Sequence, residues 1–80
     1  MIKIAKKTRK SSHQVIEEAS AFFGKDGEGL EEKERNPCCI FFEGAGGHIS
    51  VTVVDGDRQR EVDVESREFD YSAKRFLESI

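Results

Sequence analysis

The stretch CCIFFEGAGGHISVTVV, from Cys38 to Val54, constrains what this chain can fold into more than any other. An unbroken apolar run is followed by a glycine-rich break and then by alternating apolar and polar residues. That is the pattern of a β-hairpin through the middle of a small core. A run apolar at every position needs cover on both faces, so Cys38 to Glu43 is expected to be a central strand. In the returning strand Ile49, Val51 and Val53 point one way, and Ser50, Thr52 and Val54 the other. Asp55-Gly56 is a hairpin-turn pair. Gln59 to Glu65 then continues the meander with Val62 and Val64 inward and Glu61, Asp63 and Glu65 outward.

Helical spacing brackets this meander. Ser11 or Ser12 is placed to cap a helix reaching to about Phe23, with Val15, Ile16, Ala19, Phe22 and Phe23 gathered on one face. Gly24 is expected to end it in the left-handed conformation. A second helix, from about Phe69 or Asp70 to Ile80, aligns Phe69, Ala73, Phe76, Leu77 and Ile80, with Asp70 as its N-cap. Phe22 and Phe76 fall at the centres of the two apolar faces and are expected to be the deepest side chains. His13 and Tyr71 fall on the opposite faces. The charged segment 30–35 is either an edge strand, pinned by the Asn36-Pro37 turn, or irregular. The expected fold class is α+β: an antiparallel meander of three or four strands, with an N-terminal and a C-terminal helix packed on one face. Residues 1–80 make one domain, in which residues 1–10 are a basic arm or a short edge strand. A chain this short buries only about 60% of the surface its unfolded form exposes, so its core is thin.

Charge is divided along the chain. Lys3, Lys6, Lys7, Arg9 and Lys10 give residues 1–10 a charge of +5; the whole chain carries −3, so residues 11–80 carry −8. An acidic body repels phosphate and argues against a broad nucleic-acid surface. No apolar run approaches the roughly 20 residues that span a membrane. The basic N-terminus lacks the apolar stretch of a secretory signal, so a cytoplasmic chain is expected.

Candidate chemistries fall away on spacing. Cys38 and Cys39 are neighbours, and adjacent strand residues point to opposite faces, so two reduced thiols are expected. With Gly44 to Gly47 as the loop, His48 lies four ladder positions from Cys39, roughly 13 Å, which is too far for a thiol–imidazole pair. The glycine loop leads into a strand rather than a helix N-terminus, so it is a turn and not a phosphate cradle. Asp26, Glu28, Glu31 and Glu32 lack the ordered spacing of a calcium loop. The sequence assigns no catalytic residue, metal ligand or cofactor, and the chain is read as not an enzyme.

The order α-β-β-β-α over residues 11–80 resembles the double-stranded RNA-binding domain. GAGGH (44–48) is similar to that family's Gly-Pro-x-His loop, and SAKRF (72–76) to an Ala-Lys in its last helix. The proline is absent here, and Ser66-Arg67-Glu68-Phe69-Asp70 stands where the family carries a lysine cluster. The resemblance implies two helices on one sheet face and contact with RNA.

Two functional expectations follow. The first is a protein-interaction module, binding a partner or a second copy through the uncovered sheet face, on which Cys39, Phe41, Ser50, Thr52 and Val54 fall together. The alternative is nucleic-acid binding, led by Lys6, Lys7, Arg9 and Lys10 with Lys74 and Arg75.

Overall fold

A computed structural model describes residues 1–44 and 46–80. Seven elements follow one another: β1 (Ile2–Thr8), α1 (Ser12–Phe23), β2 (Glu31–Asn36), β3 (Cys39–Gly44), β4 (Gly47–Asp55), β5 (Arg60–Arg67) and α2 (Asp70–Ser79). The strands form one sheet in the order β1-β5-β4-β3-β2, with every neighbouring pair antiparallel. The fold is therefore α+β, with the N-terminal residues paired as a strand rather than loose as an arm. Four strands lie between the helices and a fifth precedes them, an element order that departs from α-β-β-β-α.

The meander follows from alternation. Ile40 and Phe42 of β3, Ile49, Val51 and Val53 of β4, and Val62 and Val64 of β5 are all buried on one face. Their register, Ile40 opposite Val51 opposite Val64 and Phe42 opposite Ile49, stacks them in rows. Ile2 and Ile4 of β1 extend these rows, opposite Ser66 and Val64. Both helices lie on this face: α1 over β3 and β4, and α2 over β5 and β1. β2 has no apolar period at all, and is a strand because the Pro37-Cys38 turn folds it back along β3, with Asn36 opposite Cys39. A bulge between Glu32 and Glu34 interrupts this outermost strand.

Helix α1 begins at Ser11, whose hydroxyl accepts from Gln14 N at 3.1 Å while the Gln14 carboxamide accepts from Ser11 N at 3.4 Å. This reciprocal capping box satisfies amides that would otherwise lack partners. The helix does not end as the sequence suggests. Gly24 has φ −74°, and the left-handed glycine of this region is Gly29 at φ 82°. Instead, Glu28 N and Leu30 N donate back to the Phe22 and Phe23 carbonyls, wrapping the loop around the helix end. Gly27 is required there, because a Cβ would sit 2.0 Å from the Phe22 carbonyl oxygen.

Helix α2 also differs at its start. Phe69 occupies the N-cap and Asp70 is the first helical residue, making no side-chain cap. The entry is set by Glu68, a non-glycine residue at φ 75°, and by the buried Ser66 hydroxyl, which accepts from Phe69 N at 3.2 Å. At the other end Lys6 reaches across from β1, and its ammonium donates to the Leu77 and Ile80 carbonyls at 2.9 and 3.3 Å. A cation there meets both the unpaired carbonyls and the negative end of the helix dipole.

The core centres on four phenylalanines. Phe23, Phe42 and Phe76 are each fully buried, with Phe23 packed 5.6 Å from Phe42 and 5.2 Å from Phe76 between ring centroids. Phe22, expected to be the deepest of α1, is only partly buried and packs edge-on against Phe23 and Phe76 from the rim. Both rings belong to one broad apolar stripe, and α2, whose Phe76 lies against both, closes over Phe23 and leaves Phe22 at the border.

The cysteines also depart from expectation. Cys38 and Cys39 are joined as a vicinal disulfide, with their Cα atoms 3.8 Å apart. Alternation does not separate them because β3 begins only at Cys39; Cys38 belongs to the turn, where Asn36 Oδ1 accepts from its amide at 3.1 Å.

Candidate functional site

Placing both helices on one face leaves the opposite face without a covering element among the described residues. Strand alternation decides what it presents. Cys39, Phe41 and Glu43 project there from β3, and His48, Ser50, Thr52 and Val54 from β4. The register sets Cys39 opposite Thr52, Phe41 opposite Ser50 and Glu43 opposite His48. The five residues that alternation assigned to an open face thus share it. Phe41 is half-buried, and its ring stacks on that of His48 at 5.7 Å with 25° between planes, a diagonal contact across the strand pair. The stack was implicit in the register that alternation implies, since His48 lies two positions from Ser50, the partner of Phe41.

The neighbouring strands extend this patch into charged rows. One row runs Lys3, Glu65, Ser50, Phe41 and Glu34 across β1, β5, β4, β3 and β2. The next runs Ala5, Asp63, Thr52, Cys39 and Asn36, and a third joins Arg67, His48 and Glu43. A shallow groove over β3 is lined by Glu34, Asn36, Cys39, Phe41, Ser50 and Thr52. Val54, about half exposed at 48%, stands at the end of β4 opposite Glu61. Apart from Glu43 near the end of β3, the face carries no carboxylate, lysine or arginine over β3 and β4 between Cys39 and Val54, with acids on both sides and a lysine row at the β1 edge.

The basic residues are dispersed rather than gathered. Lys6 is turned to the helix side and bound to the end of α2. Lys7 is on the open face opposite Glu61. Lys10 pairs with Glu18 of α1 at 2.8 Å, while Arg9 is exposed in the turn that follows β1. Lys74 and Arg75 are exposed on α2, the Arg75 guanidinium lying 5.8 Å from the Tyr71 ring centroid.

On the helix side, Arg35 of β2 bonds Glu32 at 2.9 Å and Glu17 of α1 at 2.8 Å, tying the edge strand to the helix. The Arg35 hydrogen bond holds the Glu32 carboxyl below its ordinary pKa, against the opposing effect of burial. Glu32 raises Arg35 in return. Ser20 donates to the same Glu32 carboxylate at 3.1 Å. Among the described residues no group of three or more His, Cys, Asp or Glu side chains is arranged to hold a metal ion, and no helix is long and apolar enough to cross a membrane. Compared with family models, curated proteins and solved structures, the chain matches none.

Proposed function

We propose that this chain is a non-enzymatic interaction module that pairs with a second copy of itself through the open sheet face. The observation that carries the reading is the charge pattern across the rows. A two-fold axis running along β4 lays β1 of one copy over β2 of the other and β5 over β3. Residues keep their height along the strands under that rotation. Lys3 then meets the partner copy's row end at Glu34, and Arg67 meets Glu43, each twice by symmetry. An axis perpendicular to the strands would instead set the lysine edge on itself. Isologous pairing of this kind needs a self-complementary patch, and the Phe41–His48 stack beside Ser50 gives its centre an aromatic contact.

The size of the face sets the expected strength. Strands about 4.8 Å apart and residues about 3.3 Å apart give five strands a footprint of roughly 24 by 20 Å. Two such faces bury on the order of 1,000 Å², at the low end for a specific interface. A weak dimer, with a dissociation constant in the micromolar range, is the expected state.

Sedimentation equilibrium tests this. Wild type should dimerise in the micromolar range, while Phe41→Ser, Lys3→Glu and Glu34→Lys should each weaken the dimer. The double swap Lys3→Glu with Glu34→Lys should restore it. A wild type that stays monomeric at several hundred micromolar refutes the reading. The nucleic-acid alternative draws less support, because Lys6 and Lys10 are engaged within the fold and acids dominate β5; retention on heparin that falls steeply with salt would revive it.

A further inference from the structure

We propose that the Cys38–Cys39 pair is a thiol–disulfide exchange site whose co-reactants are low-molecular-weight thiols such as glutathione. Three observations carry this. The bond joins consecutive residues, so it closes no loop of chain and cross-links no two elements; a disulfide stabilises a fold chiefly by closing long loops, and this one is therefore not a staple. It also lies where a thiol can reach it: Asn36, Pro37 and Cys38 are all exposed at the tip of the β2–β3 turn, and Cys39 is half-buried. Finally, the turn is held by contacts that do not involve the sulfur–sulfur bond. Cys38 N donates to Asn36 Oδ1, Val53 N donates to the Cys38 carbonyl at 2.7 Å, and Asn36 pairs with Cys39 across the hairpin. Opening the bond leaves these in place, so the site changes oxidation state without unfolding the sheet.

The chemistry balances with two thiols. A glutathione thiolate attacks the exposed Cys38 Sγ; a new sulfur–sulfur bond forms and Cys39 leaves as a thiolate, which takes up a proton. A second glutathione thiolate attacks the glutathione sulfur of this mixed disulfide and releases Cys38 as a thiolate, which is protonated in turn. The protein disulfide gains two electrons, and two glutathione molecules are oxidised to their disulfide. Cys38 Sγ lies 3.1 Å from Asn36 Oδ1, an acceptor for the thiol proton once the bond is open. The proposal does not rest on self-association, because the attacked sulfur belongs to the turn rather than to the open face.

The test is a redox titration of the folded wild-type chain at a concentration below its association. The protein is equilibrated with mixtures of reduced and oxidised glutathione, quenched with an alkylating reagent and weighed by mass spectrometry. The expected result is a reversible change from no adducts to two adducts per chain, with a single glutathione mixed disulfide trapped at intermediate times on Cys38. Both the rate and the far-ultraviolet circular dichroism should be unchanged by urea well below the unfolding transition. Two results overturn it: an air-equilibrated chain that alkylates at both cysteines and stays so in excess oxidised glutathione, or a bond reduced only where urea unfolds the chain. Fragmentation of the quenched wild-type peptide should place the trapped glutathione on Cys38, and an adduct found on Cys39 instead would overturn the assigned point of attack.

Discussion

Truncating Phe23 to alanine should remove a large share of this domain's stability, about twice what truncating its neighbour Phe22 removes. Phe23 has no exposed surface, and its ring meets Phe22, Phe42 and Phe76 at centroid distances of 4.9, 5.6 and 5.2 Å. Removing a fully buried phenylalanine costs about 3–5 kcal/mol, part of it the cavity left behind. At about 0.05–0.15 kcal/mol per residue, a chain of 80 residues has roughly 4–12 kcal/mol in hand. Phe22 is only partly buried, so its loss should cost about half as much. Far-ultraviolet circular dichroism in urea is the suitable assay, because the chain has no tryptophan and its one tyrosine, Tyr71, is 74% exposed. With a slope near 1 kcal/mol per molar urea, Phe23→Ala should lower the midpoint by about 3–5 M and Phe22→Ala by about 1.5–2.5 M. His13→Ala and Tyr71→Ala, on exposed helix faces, should each cost less than about 1 kcal/mol. Equal losses from Phe22→Ala and Phe23→Ala would refute the packing of α2 across α1.

Two further outcomes test contacts outside the core. Lys6→Met keeps the aliphatic stem but removes the cation from the end of α2; it should cost up to about 1 kcal/mol at low salt, less at high salt, and speed amide exchange in the last turn of that helix. In the Glu17–Arg35–Glu32 cluster the folded-state pKa of Glu32 is depressed, so the stability it adds is present above the ordinary carboxylate pKa and is lost as pH falls through the lowered value. These side chains are about a third exposed or more, so the contribution should stay below about 1 kcal/mol. Urea melts of wild type and Arg35→Gln should differ above about pH 5 and converge toward pH 2; a gap that widens on acidification would reverse the sign of the argument.

The parts of this fold that were legible in the sequence are those set by local periodicity. Alternation in 49–53 and 62–64, with the glycines after Glu43, places β3, β4 and β5 and their register, and with it Cys39, Phe41, Ser50, Thr52 and Val54 on one face. Three-dimensional neighbours decide the rest. Whether Phe22 or Phe23 is buried depends on where α2 lies, which no feature of α1 encodes. β2 is a run of charge whose strand state comes wholly from its hairpin with β3. Lys6 looks like one more cation of a basic segment until β1 is paired with β5, a partner more than 50 residues away, and the last turn of α2 comes within its reach. The vicinal bond was hidden by applying strand geometry to Cys38, one residue before the strand begins.

The pairing of β1 with β5 has a consequence for the order of folding. α1 and the β2–β5 meander are built from local contacts and can form as soon as each stretch is available. β1 cannot: Ile2 pairs with Ser66 and Thr8 with Arg60, so the strand at the start of the chain must wait for one near its end. Loop closure over such a separation is a late and slow step. During synthesis at about 5–20 residues per second, the interval between β1 and β5 is roughly 3–12 s. Throughout that interval the waiting strand exposes Ile2 and Ile4 with only its lysines to keep it in solution, and β5, once made, stands as a bare edge until β1 arrives. The basic composition of the first ten residues thus acts most strongly before the native state exists, as protection of a strand that emerges early and docks last.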